Sequence, residues 1–256
     1  MGICRIIVIG DFGRASTFRF CSDFADAERE YIKRKLRGGA FYDEERKTVI
    51  SVESNLPFIK LPQIANYARL NHAFDEKILI GFPGGLSIEE VLPRFCYLVA
   101  RMVIMPVFQQ IERQFIALPC NTLSPLLWEL ERVFSDQHLF VSTLEELLPS
   151  TEAKELFEAV AAFSFTFVPV ADSIVSYLGN GGSDYILPLG THYITETYRK
   201  AAQRVKGQVS IVGMDEELRY LLKEAIKESI NNGEGQLAEI TRQVNGKIKS
   251  LKKDYG

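Results

Sequence analysis

Short apolar runs alternate with helical patterns along this chain. The runs lie at 4–9, 47–54, 77–82, 115–118, 164–170, 185–189 and 208–212. Between them, apolar residues recur every three or four positions, as they do along one face of an amphipathic helix. Strands that alternate with helices predict an α/β fold with mostly parallel sheets and helices on both faces.

The order of strands and polar turns shows a coarse symmetry. Each half contains a predicted strand that ends in a polar turn, around Cys120 in one case and around Thr191 in the other. Two similar Rossmann-like lobes that face each other would place both turns in one cleft, where the active site would lie. We therefore expect an N-terminal lobe over 1–122, which 208–256 could complete, and a second lobe over 123–207.

The turn at Cys120 is the strongest candidate for chemistry. The apolar run 115–118 stops at Pro119, and Cys120, Asn121 and Thr122 follow before the next helical pattern. Ligands of open α/β sheets bind beyond the carboxyl ends of strands, where the N–H groups of the next helix can hold an anion. A thiol in such a place has a lowered pKa and can act as a base. A buried core cysteine is the alternative.

Two shorter patterns predict local structure downstream of this turn. The run 138–142 predicts a short strand, and Ser150 or Thr151 could cap a helix that ends near 162. The turn after the first strand contains Asp11, which is either a turn-forming residue or an acid of the site. The basic amphipathic segment 237–253 predicts a surface helix or an interface element.

Composition and charge exclude several classes of function. The hydrophobic content of 46% is enough for a full core, and a net charge of −3 argues against nucleic acid or an anionic membrane as the main partner. Four cysteines without paired spacing suggest a reducing compartment and no metal site. The first apolar run is too short for a signal peptide, and no run approaches the ~20 residues that span a bilayer. We expect a cytoplasmic protein.

Two segments resemble motifs of a known family. The segment 116–122, Ile-Ala-Leu-Pro-Cys-Asn-Thr, resembles the first cysteine motif of the cofactor-independent aspartate/glutamate racemases. The segment 186–193, Ile-Leu-Pro-Leu-Gly-Thr-His-Tyr, resembles their second motif, whose glutamate racemase form is Leu-Gly-Cys-Thr-His-Tyr. The resemblance extends from about 115 to 227.

The resemblance implies a reaction and a set of residues. Two cysteines of the family stand on opposite faces of the substrate Cα; one thiolate removes the α-proton and the other thiol returns a proton. Asn121 and Thr122 would bind the substrate carboxylate, as would Gly190 in the second motif. Asp11 lies where the family often has an acid or a glycine-rich turn, although the turn 81–87 is a second candidate for that element. No pyridoxal phosphate and no metal is implied, and a homodimer is expected.

The chain departs from the family at the second cysteine. Gly190 stands in its place, or Thr191 does if one residue is deleted. Because a positioned acid or base contributes ~10²–10⁴-fold, two-base racemisation should be impaired without it.

Three functions stay open after this loss. Thr191 or His192 could serve as the second acid or base of an amino-acid racemase or epimerase that acts with a single cysteine, Cys120. The single thiol could instead belong to a decarboxylase, lyase or isomerase that acts on a related diacid. The site could also bind a small carboxylate without turning it over.

Overall fold

The computed structural model describes residues 3–9, 14–35, 48–53, 88–105, 111–119, 124–190, 194–206, 209–230 and 234–255. Contacts between residues group the chain into two units. The first unit comprises Met1–Pro57, Glu89–Cys120 and Leu126–Val170, and the second comprises Phe58–Ile88, Asn121–Pro125 and Ala171–Gly256. The predicted strand 77–82 and the predicted turn 81–87 lie outside the described residues.

The first unit is built on a parallel sheet. Its strands are β1 (Ile3–Ile9), β2 (Thr48–Glu53), β3 (Ile111–Ala117) and β4 (Phe165–Val168), in the order β2-β1-β3-β4. Every pairing between these strands is parallel. Most apolar residues of the two middle strands are buried, as is typical of parallel sheets; they are Ile6, Ile7, Val8 and Ile9 of β1 and Ile116 and Ala117 of β3. The predicted α/β class with parallel strands is confirmed.

Helices connect these strands. The described helices of this part of the chain are α1 (Arg14–Lys35), α2 (Ile88–Ile104), α3 (Ser124–Phe134), α4 (Gln137–Leu144) and α5 (Ser150–Ala161). One face of α3 is fully buried; its residues are Leu126, Leu127, Leu130 and Val133. The spacing of these residues matches the helical period, so the predicted amphipathic helix after Cys120 is confirmed.

Two local predictions in this region are wrong. The run 138–142 is not a strand but part of α4, because the Asp136 side chain caps that helix by accepting the Leu139 N–H at 3.0 Å. Phe140 and Leu144, four positions apart, then lie buried on one helix face. The cap residue of α5 is Pro149, which makes no side-chain hydrogen bond, and neither Ser150 nor Thr151 has that role.

A buried arginine links the sheet to α2. The Arg5 side chain is 1% exposed and donates to Ser51 Oγ at 2.9 Å, to the Met102 carbonyl at 2.7 Å and to Gln114 Oε1 at 3.2 Å. Gln114 Nε2 in turn donates to the Val103 carbonyl at 3.0 Å. The carbonyls belong to the last turn of α2, where the helix dipole favours a cation. Burial lowers the pKa of Arg5.

Replacing Arg5 by methionine should destabilise the protein by about 3 kcal/mol or more, since each buried acceptor left without a donor costs roughly 1–3 kcal/mol. Urea unfolding followed by circular dichroism measures this loss. Arg132→Met is the matched control, because Arg132 is exposed and pairs with Glu129 on the helix surface. Its effect should stay within about 0.5 kcal/mol. Equal effects of the two substitutions would contradict the role of Arg5.

The second unit contains a shorter parallel pairing. Its described elements are α6 (Val170–Asn180), which starts at the unit boundary, β5 (Tyr185–Ile186), α7 (Ile194–Arg204), β6 (Ser210–Ile211), α8 (Glu216–Ile230) and α9 (Glu234–Tyr255). β5 and β6 pair in parallel, with Tyr185 opposite Ser210 and Ile186 opposite Ile211. Both strands are shorter than the runs 185–189 and 208–212 that predicted them.

The last two helices pack against each other. Asp215 caps α8 by accepting the Leu218 N–H at 2.8 Å, and Lys247 of α9 contacts Asp215 at 3.0 Å and also Glu217. The 237–253 segment is therefore a helix, as predicted. Among the described helices, none combines the length and the apolar character that a membrane crossing needs.

The units group the chain differently from the predicted lobes. β4 pairs with β3, so 165–168 shares a sheet with the N-terminal strands although the predicted second lobe began at 123. The predicted boundaries at 122–123 and 207–208 fall on residues outside the described ones and stay predictions. The likeness of the two lobes and a cleft between them also stay predictions.

Candidate functional site

The strand order of the first sheet contains a switch point. β2 lies on one side of β1, whereas β3 and then β4 lie on the other side. In open α/β sheets of this order, ligands bind beyond the carboxyl ends of the two strands where the winding reverses, here β1 and β3. Val8 of β1 pairs with Ala117 of β3, so the two strands end side by side.

One of the predicted polar turns follows each of these two strands in the sequence. Asp11 comes two residues after the end of β1 at Ile9, and Cys120 comes three residues after the end of β3 at Ala117. Asp11, Cys120, Asn121 and Thr122 themselves lie outside the described residues. The described chain before each of these segments, Ile9 in one case and Ala117 in the other, lies at the carboxyl edge beside the switch point.

The helices after these turns offer their positive ends without an acid. The first turns of α1 and α3 contain no acidic residue. The first turn of α4 also has none, although its cap residue is Asp136. Four other helices have an acid in that position: Glu152 in α5, Asp172 in α6, Glu196 in α7 and Glu216 in α8. An acid at a helix start offsets the dipole, so α1 and α3 retain more attraction for an anion or a thiolate.

Described contacts precede and follow the segment 118–123 along the chain. Before the segment, Ala117 pairs with Val168, the last residue of β4. After it, the buried Ser124 Oγ accepts the Ala171 N–H at 3.1 Å. A single buried residue, Pro169, joins β4 to α6. Sequence reasoning missed Ser124, because a serine at a helix start reads as a cap of its own helix rather than of a distant one.

The second motif also lies between a strand and a helix in the sequence. β5 ends at Ile186, Pro188 is buried, and α7 begins at Ile194. Gly190 is half-buried and described, whereas Thr191 and His192 lie outside the described residues. The structure therefore confirms the elements around the motif, and the predicted roles of Thr191 and His192 stay predictions.

The backbone at Gly190 does not require glycine. Its φ is not in the left-handed region, in contrast to Gly182 at +79°. The three nearest described atoms that a Cβ atom at Gly190 would meet belong to the Ile194 side chain, at 3.5–3.6 Å, and these are ordinary contacts. A side chain such as that of cysteine is therefore compatible with this position.

The other three cysteines do not replace the missing thiol of the family. Cys96 is fully buried in α2, where burial raises its pKa, and burial also raises the pKa of Cys21 in α1. Cys4 precedes the end of β1 at Ile9 by five residues, which places it ~17 Å from the carboxyl edge. None of these thiols follows the carboxyl end of a strand.

Alkylation by iodoacetamide at pH 7 should therefore modify Cys120 first. A thiolate is the reactive species, and a helix start favours it while burial disfavours it at Cys96 and Cys21. Peptide mass spectrometry over time gives the rate for each cysteine. A Cys120 rate at or below that of the half-buried Cys4 would contradict an activated thiol.

Metal ligands are not grouped in the described part of the chain. Among the described residues, no three side chains of histidine, cysteine, aspartate or glutamate are close enough to hold an ion.

Comparisons with known proteins rest on structure. No family model matches the sequence, and no curated protein matches it significantly. The aspartate racemase of Picrophilus torridus matches with a TM-score of 0.50 over 97% of this chain and 77% of that one, at 13% identity. The chain has the fold of an aspartate racemase. A putative Asp/Glu racemase from Yersinia pestis matches with a TM-score of 0.47 over 98% of this chain and 82% of that one, at 15% identity. No argument about the fold rests on this second match.

This racemase fold agrees with the family that the motifs resemble. The motifs cover few residues, whereas the structural match covers nearly the whole chain. At 13% identity the match establishes the fold and leaves the activity to be argued from the residues.

Proposed function

We propose that this protein is a racemase-type isomerase, independent of cofactors, that transfers a proton at the carbon next to a carboxylate. The substrate class is an acidic amino acid such as aspartate or glutamate, and Cys120 is the acid or base. The proposal rests on one observation: Cys120 follows β3 in the sequence, β3 is a strand at the switch point of the sheet, and the chain has the fold of an aspartate racemase.

The proposed reaction proceeds in two proton transfers. The Cys120 thiolate removes the α-proton, and the negative charge passes to the carboxylate as an enolate-like form. Backbone N–H groups at the start of α3, with Asn121 and Thr122, hold that carboxylate; such donors contribute several kcal/mol when they point at developing charge. Thr191 or His192 returns a proton, and histidine is the usual residue for transfer near neutral pH.

The assembly and location follow from the same resemblance. We propose a homodimer in the cytoplasm that binds a small amino acid rather than nucleic acid or a membrane. Sedimentation of the purified protein tests the dimer: a species of twice the 29.0 kDa chain mass is expected, and a species at the chain mass would contradict it.

A second function is favoured by one observation, the glycine at position 190. With a single thiol, the site suits a decarboxylase, lyase or isomerase of a related diacid, in which one proton is delivered to one face. Loss of a thiol is also how such a site would become a carboxylate-binding protein without turnover.

Chiral chromatography distinguishes these functions. The protein is incubated with L-aspartate, D-aspartate, L-glutamate and D-glutamate separately, and with a 2-substituted malonate. The proposal expects the opposite enantiomer of at least one amino acid. Loss of carbon dioxide from the malonate, without inversion of any amino acid, would replace the proposal with the decarboxylase. Calorimetric binding of an amino acid without either product would replace it with a binding protein.

A further inference from the structure

Two arginines from successive helices lie against the loop that follows β6. This loop runs over 212–215, between β6 and α8. A Cβ atom at Gly213 would lie 3.7 Å from Nη2 of Arg199, which belongs to α7. Nη2 of Arg219, in α8, donates to the carbonyl of Met214 at 3.4 Å. Two cationic groups therefore approach consecutive residues, whose Cα atoms lie ~3.8 Å apart.

Neither guanidinium has a strong anionic partner among the described residues. Arg219 forms no ion pair there, and its buried Nε donates to no described group. Arg199 pairs with Glu196 at 3.8 Å, but both side chains are more than half exposed, so this pair contributes little. The acid of the loop, Asp215, caps α8 and contacts Lys247 of α9 at 3.0 Å. A buried donor without an acceptor needs an explanation, and a bound ion is a common one.

The backbone of the loop supplies further donors. No described residue accepts the N–H of Gly213 or Met214. Gly213 is exposed, and a Cβ there would have only side-chain atoms of Arg199 and Thr195 within 4 Å among the described residues, so an anion has room to approach. Guanidinium and successive backbone N–H groups are donors that proteins use for carboxylate and phosphate oxygens. The loop also follows the carboxyl end of a parallel strand, where ligands of α/β sheets bind.

We propose that Arg199, Arg219 and the backbone N–H groups of Gly213 and Met214 form a binding site for a small oxyanion, a carboxylate or a phosphate group. The Arg219 side chain turns toward the bound anion, which gives Nε the acceptor that it lacks. No role of Cys120 enters this proposal, so a protein without amino-acid inversion would leave it unaffected.

Thermal unfolding followed by circular dichroism tests the site, with inorganic phosphate or succinate replacing chloride at constant ionic strength. An anion that binds only the folded protein raises the melting temperature, and the dependence on its concentration gives the dissociation constant. We expect a saturable rise for the wild type with at least one anion. Arg199→Met and Arg219→Met should each weaken the affinity about tenfold to 10²-fold, as loss of a hydrogen bond between charged groups does. A response to phosphate alone assigns a phosphate ligand, and a response to succinate assigns a carboxylate.

Arg242→Met is the matched control. It removes an exposed arginine of α9 that pairs with Glu239, and it should leave the affinity unchanged. Phosphate also stabilises proteins by exclusion from their surfaces, and this effect is common to all the variants. Arg199 is exposed, so Arg199→Met still tests the site if Arg219→Met does not fold. The absence of a saturable rise with either anion, or wild-type affinity in either folded arginine variant of the site, would overturn the proposal.

Discussion

Replacing Cys120 by alanine is expected to lower the rate of amino-acid inversion by ~10²–10⁴-fold, the usual contribution of a positioned acid or base. The thiol is the only group of the first motif that can move a proton near neutral pH. Asn121 and Thr122 remain, so the KM for the amino acid should change far less than kcat. Steady-state kinetics by chiral chromatography measures both constants.

Controls separate lost chemistry from lost folding. Cys21→Ala removes a half-buried thiol that lies seven positions after the start of α1, about two turns from the helix end proposed for the site, and should retain full activity. Thermal unfolding of both variants, followed by circular dichroism, should give melting temperatures close to that of the wild type. If the Cys120→Ala variant keeps its kcat within twofold of the wild type, Cys120 is not the acid or base.

Gly190→Cys is expected to raise the rate of inversion by about 10-fold to 10²-fold, at the lower end of what a positioned acid or base contributes. The substitution places a thiol directly before Thr191 and His192, as in the Cys-Thr-His-Tyr segment of the glutamate racemase motif. The described surroundings allow a Cβ at this position, because its nearest described contacts, with Ile194, are ordinary ones and the backbone has no positive φ. Initial rates in both directions measure the gain.

Gly190→Ser is the matched control for this gain. Serine adds a side chain of similar size whose hydroxyl is a much weaker acid, so crowding and lost backbone freedom are the same. The cysteine variant should exceed both the wild type and the serine variant. Equal rates for cysteine and serine would mean that position 190 does not face the substrate, and that the missing cysteine corresponds to another position.

Local patterns were enough to find the elements around the candidate site. The run 115–118 and the helical spacing after it predicted β3 and α3, because a buried parallel strand and a helix with one buried face each need apolar residues at characteristic positions. The run 138–142 gave the wrong element. Leu139, Phe140 and Val141 suit a strand or a buried helix equally, and only the Asp136 cap decides.

Strand lengths in the second unit were overestimated for a physical reason. Pro188 has no N–H to donate to a neighbouring strand, so the run 185–189 cannot pair along its whole length, and the pairing with β6 covers Tyr185 and Ile186.

The strand order could not be predicted, because pairing is decided by contacts between distant residues. The pairing of β3 with β4 brings 165–168 into the first sheet, and it is the strand order that places the carboxyl end of β3, the strand before Cys120, at a switch point. The bonds of Arg5 to Met102 and Gln114, and of Ser124 to Ala171, join residues from 47 to 109 positions apart. No local pattern in the sequence indicates these hydrogen bonds.

The most direct test of Cys120 proton transfer is proton NMR of aspartate and glutamate enantiomers in heavy water with the wild-type protein. The account predicts loss of the α-proton signal for at least one amino acid, as deuterium from solvent replaces it, and no loss with the Cys120→Ala variant. An α-proton signal that persists for all four enantiomers, or that disappears equally fast with the alanine variant, would contradict it.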